Sequence, residues 1–418
     1  LGVEHRRETS RQITDPLDVS GQTFLNAIPS SSGSYDVSEG FAEILLPLLA
    51  DVPFARSLSV SAAARYSDYS TVGDTTAWRY GLDWAPNDSL RIRGTMSSAV
   101  RAPNIDELFG GQSENFFAIG SGDPCSSVNL KNGKDPAVRA ANCAATGVPA
   151  NFIPVYSGTV RGLSGSNPNL NAETGRTWTG GFVFTPAFLS GFALNVDYWN
   201  IKLSDAISSL SGLEVVQRCV DAPSGIDNEY CASMTRGPDH LVSFISSVQM
   251  NISAIETDGV DLGVAYRHGL WGGQARFDLN ATRVLGFTEY PFQEDPSESI
   301  ERNGTEGFPK WKANLGIGYD VGNWAFNWTS RYASGVLRVS NESYESNPTS
   351  TTPITAGSAI AHDVRGSYAF PDSGWQVYAG INNVFDNDPP MNYFGAGFGS
   401  AVYDTLGRRY YVGAKFRF

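Results

Sequence analysis

The sequence predicts an all-β protein, a transmembrane antiparallel β-barrel of about 14 strands with short turns at one rim and long loops at the other. Three observations predict it. Apolar and polar residues alternate in segment after segment, the connections between those segments alternate short and long, and the chain ends on an aromatic-rich strand. A strand sends successive side chains to opposite faces, so a wall between lipid and water demands a period of two.

The strands are expected at 1–9, 38–49, 54–70, 75–86, 89–101, 172–186, 191–207, 252–268, 272–288, 309–320, 323–337, 360–370, 374–386 and 404–418. Leu58, Val60, Ala62, Ala64 and Tyr66 share a face opposite Ser59, Ser61, Arg65 and Ser67; Trp78, Tyr80, Leu82 and Trp84 oppose Arg79 and Asp83. Further on, Phe192, Leu194, Val196 and Tyr198 oppose Asn195 and Asp197, and Leu315, Ile317 and Tyr319 oppose Asn314 and Asp320. In the last strand Tyr410, Val412, Ala414, Phe416 and Phe418 oppose Tyr411, Gly413, Lys415 and Arg417. A half-buried soluble sheet alternates too, but Trp and Tyr at the ends of the apolar faces suit two membrane interfaces, where a ring offers an apolar body and a wet edge.

The connections sharpen the choice. Tight turns rich in Gly, Pro, Asn and Asp fall near Asp51-Val52-Pro53, Pro86-Asn87-Asp88, Pro186–Gly191, Gly269–Gly272, Val321-Gly322-Asn323 and Pro371–Gly374. The opposite connections are long, at 10–37, 102–171, 208–251, 289–308, 338–359 and 387–403, and only the one around Val72-Gly73-Asp74 is short. That is the layout of a bacterial outer-membrane barrel. The parity puts both chain ends on the short-turn, periplasmic side and the long loops outside.

Composition fits a single barrel of 418 residues with 44 Gly. No apolar run approaches the roughly 20 residues of a membrane helix. The net charge of −13 disfavours nucleic acid as a partner. The four cysteines all lie in long loops, Cys125 and Cys143 in one and Cys219 and Cys231 in another. Nearest-neighbour pairing staples each loop to itself, although four cysteines allow three connectivities and spacing alone does not choose. No Cys/His cluster has metal-ligand spacing, and His5, His240, His268 and His362 are scattered, so neither a metal nor a cofactor is expected, and no nucleophile motif marks an enzyme. Leu1-Gly2-Val3-Glu4 reads as opening partway into a strand, without a leader.

Arg93–Phe109 (RGTMSSAVRAPNIDELF), Asn167–Gly175 (NPNLNAETG), Gly259–Tyr266 (GVDLGVAY), Ile381–Asp386 (INNVFD) and the terminal strand resemble the C-terminal barrel of TonB-dependent outer-membrane receptors over essentially the whole chain. Read from the residues, these motifs pin loop entry and register. The resemblance implies more: a 22-stranded barrel of which about 14 strands lie here, an N-terminal plug and TonB box not seen in this sequence, and energised uptake of a scarce ligand such as a siderophore–iron complex, cobalamin or a saccharide. It implies outer-membrane lipid as the surroundings, the TonB-ExbB-ExbD complex as the partner acting through the plug, and the barrel-assembly machinery as reader of an insertion signal at Tyr410, Val412, Phe416 and Phe418.

Candidate ligand contacts are the exposed-loop aromatics and amides Asn115, Phe116 and Phe117 in the longest loop, and Asn392, Tyr393, Phe394 and Phe398 in the last. Rings beside amides suit stacking on a sugar or an aromatic siderophore; the plainer role is loop packing. Arg79, Arg91, Arg93, Arg365, Lys415 and Arg417 share the polar parity, for lining a lumen or pairing with its carboxylates. Two alternatives stand: a stand-alone 14-stranded passive channel, for which Leu1, Val3, His5 and Arg7 make a poor closing lipid face, and a soluble secreted β-rich carbohydrate-active protein.

Overall fold

The computed structural model describes residues 1–24, 26–338, 355–371, 373–390, 403 and 406–417. Fourteen strands run in strict sequence order through one antiparallel sheet. They are β1 (Gly2–Gln12), β2 (Ser31–Val52), β3 (Ala55–Tyr69), β4 (Gly73–Asn87), β5 (Leu90–Arg101), β6 (Glu173–Phe184) and β7 (Phe192–Ser208). The second half comprises β8 (Met250–Leu270), β9 (Gly273–Tyr290), β10 (Trp311–Val321), β11 (Trp324–Ala333), β12 (Ala359–Ala369), β13 (Trp375–Asn382) and β14 (Arg409–Phe416). β1 and β14 form the two edges and do not pair with each other. Among the described residues no helix is long and apolar enough to cross a membrane.

Strand existence and order agree with the sequence reading; lengths differ where polar pairing continues beyond the apolar band. β2 starts at Ser31 rather than 38 because Ser31–Val37 keep ladder pairing with Arg6–Gln12 of β1. Of the expected strand 404–418, Arg409–Phe416 is strand, while the described residues Leu406–Arg408 and Arg417 are not. Phe418 lies outside the described residues.

The tight turns use the chemistry their sequences offer. Between β8 and β9, Trp271 and Gly272 both have positive φ (49° and 75°), the two-residue hairpin geometry whose twist matches the flanking strands. Between β4 and β5, the Asn87 side chain accepts from the Ser89 and Leu90 amides at 2.9 and 3.0 Å, closing the turn on itself.

The two faces separate as the alternation requires. Tyr66, Tyr80, Leu82, Met96, Trp178, Ile317, Phe326, Tyr410 and Val412 are exposed on the apolar parity. The opposite face carries paired charges. Register places Asp83 beside Arg93, Arg93 beside Gly181, and Gly181 beside Asp197. Arg93 therefore reaches across β6 to Asp197 on β7, donating to its two carboxylate oxygens at 2.8 and 2.6 Å. The glycine is the passage: a Cβ at Gly181 would stand 2.3 Å from Asp197 Oδ1. Arg91 meets Asp83 at 2.6 Å on the same face. Near the last edge, the Tyr411 ring covers Gly380 and the Tyr378 ring covers Gly413, so aromatic rings fill the spaces left by cross-strand glycines.

Candidate functional site in the long-loop module

The long loops at 102–171 and 208–251 fold together, which their reading as plain connections did not anticipate. A four-stranded sheet forms from Met234–Arg236, Val242–Val248, Val160–Gly165 and Gln112–Phe117, in that spatial order, with a parallel pair at its centre joining the two loops. Three helices complete it: α1 (Pro136–Ala145) packs on α2 (Gly212–Asp221), and α2 and α3 (Glu229–Ala232) lie against the sheet. Each start is written locally. Asp135 accepts from the Ala137 and Val138 amides ahead of Pro136, Ser211 and Glu214 form a reciprocal capping box, and Asn228 accepts from the Cys231 amide. α2 buries Val215, Val216, Cys219 and Val220 on one face. That face joins Phe117, Ile119, Val148, Phe152, Val160, Ile245 and Phe292 in one apolar cluster.

Both disulfides lie in this module, Cys125–Cys143 and Cys219–Cys231, each within its own loop. Polar clamps join the loops to each other. Arg139 holds Asp221 through two hydrogen bonds, and the Asn142 amide donates to the Val220 and Ala222 carbonyls. The deepest clamp is Asp123 with Arg236, 0% and 5% exposed, paired at 2.8 and 2.9 Å. Tyr156 O–H and the Cys125 amide also donate to that carboxylate, and Arg236 reaches the His240 carbonyl. Burial alone would raise the Asp123 pKa, but the Arg236 bonds and charge outweigh it and hold it below the ordinary carboxylate value. Burial pushes the Tyr156 phenol well up.

Of the candidate ligand residues, the structure splits one group. Phe117 belongs to the module's core, whereas Phe116 is 46% exposed. The Asn115 amide donates to Ser164 Oγ at 3.2 Å while its oxygen accepts from the Phe116 amide, so half its capacity is used inside the loop sheet. Asn392, Tyr393, Phe394 and Phe398 lie outside the described residues. The shared motifs act as fasteners. Arg101 bridges Glu173 and Glu107, Glu173 accepts from the Ile207 amide, and Asn104 caps the helix Ile105–Phe109. Asn383, 1% exposed, donates its backbone amide to Asp363 Oδ1 and holds Asn387 through its side chain. One stretch the sequence reading passed over is 291–299. Phe292 enters the module's core with the Arg218 guanidinium 3.3 Å above its ring, and Gln293 ties to Asp205 through donor and acceptor. Among the described residues no group of three or more His, Cys, Asp or Glu is arranged to hold a metal.

The structure thus combines a strictly ordered antiparallel wall, a charged face opposite an apolar one, and two co-folded long loops. The family model for the TonB-dependent receptor-like β-barrel matches residues 1–384. The chain belongs to that family. No curated protein matches it. Among solved structures, the siderophore receptor PirA from Acinetobacter baumannii is similar with a TM-score of 0.63 and 16% identity, over 100% of this chain and 51% of that one. The ferric enterobactin receptor PfeA from Pseudomonas aeruginosa gives 0.60 and 17%, over 93% and 46%. The FrpB iron transporter from Neisseria meningitidis gives 0.53 and 12%, over 93% and 46%. At such identities the likeness is one of fold, and the chain spans about half the length of these structures. Family and neighbours are receptors and transporters rather than enzymes, and the family is one of the outer membrane.

Proposed function

We propose that this chain forms part of the wall and the outer loops of an outer-membrane receptor that takes up a scarce ligand, with siderophore–iron complexes the leading class and cobalamin or a saccharide the others. The observation that carries it is the family match across residues 1–384, and the folded loop module with its polar inner wall is the feature such a receptor uses. Three of the similar structures are named for siderophores or iron. In this reading the long loops are extracellular and both chain ends are periplasmic. The TonB-ExbB-ExbD complex works the receptor through a plug, and the barrel-assembly machinery reads β14 with Tyr410, Val412 and Phe416 on its outward parity. The barrel wall does no covalent chemistry; loops capture, and an energised partner opens the path.

Two experiments test it together. Uptake of radioactive iron by iron-starved source cells falls when the gene is deleted and is abolished by a protonophore. Uptake that persists under the protonophore makes the protein a passive channel. The intact mass of the protein drawn from the outer membrane is expected near twice 45 kDa, and a mass near 45 kDa contradicts the plug-bearing receptor.

A further inference from the structure

A groove of about 770 Å³ runs across the apolar parity from β2 to β6, with Leu46, Val60, Leu82, Gly94, Met96 and Trp178 in its lining. No side chain fills it at Gly94 or at Gly180, the cross-strand neighbour of Gly94 on that face. A Cβ at Gly94 would meet nothing closer than the Thr179 carbonyl at 3.5 Å, and one at Gly180 nothing within 4 Å.

Charge begins where the groove ends. One step toward the long-loop rim, the same face reads Trp78, Ser98, Arg176, Lys202 and Glu256 in direct register across β4 to β8. Arg176 stands two residues, about 7 Å, beyond Trp178. It lies directly opposite Lys202, and like charges so placed destabilise a sheet unless an anion lies between them. The carboxylates beside them are engaged. Glu256 holds Lys202 at 2.8 Å from its far side, and Asp258 accepts the Tyr198 hydroxyl at 2.9 Å. Among the described residues Arg176 has no hydrogen-bond or ion-pair partner, and neither has Ser98, which is only 7% exposed. A guanidinium, an ammonium and a buried hydroxyl thus meet at one end of an apolar groove. A second recess on this parity, about 700 Å³ around Trp328, Gly366 and Ala379, has no such end. The row beyond it carries Ser330 and His362, and Arg408 is held by Asp386.

We propose that the groove holds one membrane lipid, its phosphate headgroup on Arg176, Lys202 and Ser98 and an acyl chain along Gly94 between Met96 and Trp178. The inference rests on this parity facing lipid and not on the uptake reading. Phosphate oxygens accept charge-assisted hydrogen bonds from guanidinium and ammonium donors, and cations next to a span are the usual readers of anionic headgroups. The Trp178 ring lies between the two halves of the site, at the level where an amphipathic ring suits the change from chains to headgroups. An apolar groove alone would accept any lipid; the facing cations select for phosphate.

The test uses the full-length protein extracted from the outer membrane in non-ionic detergent, with bound lipid counted by native mass spectrometry. The probes are phosphatidic acid and the diacylglycerol of the same chains. Phosphatidic acid is expected to bind one to one, at about tenfold or more lower concentration than diacylglycerol. Arg176→Gln with Lys202→Gln removes that preference, and Gly94→Leu, which fills the groove, weakens phosphatidic acid about tenfold. Arg79→Gln with Arg365→Gln, the same charge taken from the opposite face, and Gly366→Leu in the second recess each leave binding within about twofold. Heat-modifiable migration shows that each variant is folded. Equal binding of the two probes, or an equal loss in the control variants, overturns the site while keeping a lipid-facing wall. Displacement of phosphatidic acid by an equal concentration of inorganic phosphate overturns the acyl groove. Binding of neither probe overturns the site and the lipid-facing wall together.

Discussion

Replacing Asp123 by Asn should open the loop module without disturbing the barrel wall. The side chain keeps its size, but one of two buried acceptor oxygens becomes a donor. Both oxygens are fully used now, Oδ1 by Arg236 and the Cys125 amide, Oδ2 by Arg236 and Tyr156. A donor at either position meets N–H or O–H groups head on, and Arg236 is left 5% exposed with its charge uncompensated. Breaking such a pair costs about 3–5 kcal/mol, or roughly two to four decades in the equilibrium for local opening. Native-state hydrogen exchange reads this directly: amides in Val242–Val248 and at Cys125 should lose protection by that factor, while β3 and β4 do not change. Asp123→Leu with Arg236→Met should recover most of the loss, because removing both charges removes the desolvation penalty as well. A single-variant effect below about tenfold, or a double variant worse than the single one, refutes the argument that the pair clamps the two loops.

Four further outcomes follow from the same structure. Acid should release this clamp only late: the Asp123 pKa lies below its unfolded value, so its contribution is complete above the ordinary carboxylate range and is lost as pH falls through the lower folded value, visible as proteolytic nicking of 102–171. Asp295, held to about 2 by Lys134 and Ser297, should keep its NMR-detected charge down to that pH. Cys219→Ser with Cys231→Ser should cost the module about 3 kcal/mol for a loop of this length, read by the same exchange measurement, with α2 the most affected. Gly181→Val should push Asp197 off Arg93 and cost about 1–3 kcal/mol in the denaturant midpoint of the folded, heat-modifiable form.

The barrel wall was legible because its rule is local. A two-residue period with turn chemistry at the ends can be read in any window, and lipid on one face enforces it strand after strand. The module was not legible, because its order comes from pairs far apart in sequence. Arg139 meets Asp221, Asp123 meets Arg236, and Val160–Gly165 runs parallel to Val242–Val248. Each residue alone looks like ordinary loop polarity; Asp123-Pro124 lies within what the sequence marks only as a long connection, yet it is among the most buried pairs of the described residues. The neighbours Phe116 and Phe117 show the limit most plainly. They are identical side chains on opposite faces of one loop strand, and only the core beneath decides which is free to meet a ligand. In two of the shared motifs Arg101, Asn104, Glu107 and Glu173 bond to one another across three elements.

The central claim is that one parity of these strands faces lipid and the other a polar interior. It is tested by placing single cysteines at Tyr80, Leu82 and Met96 and at the intervening Arg79, Gly81 and Ser97 in the membrane-embedded protein, each carrying an environment-sensitive fluorophore. Quenching by brominated lipid should alternate, strong at the first three and weak at the others. Uniform quenching, or none at either set, contradicts the barrel wall and the receptor built on it.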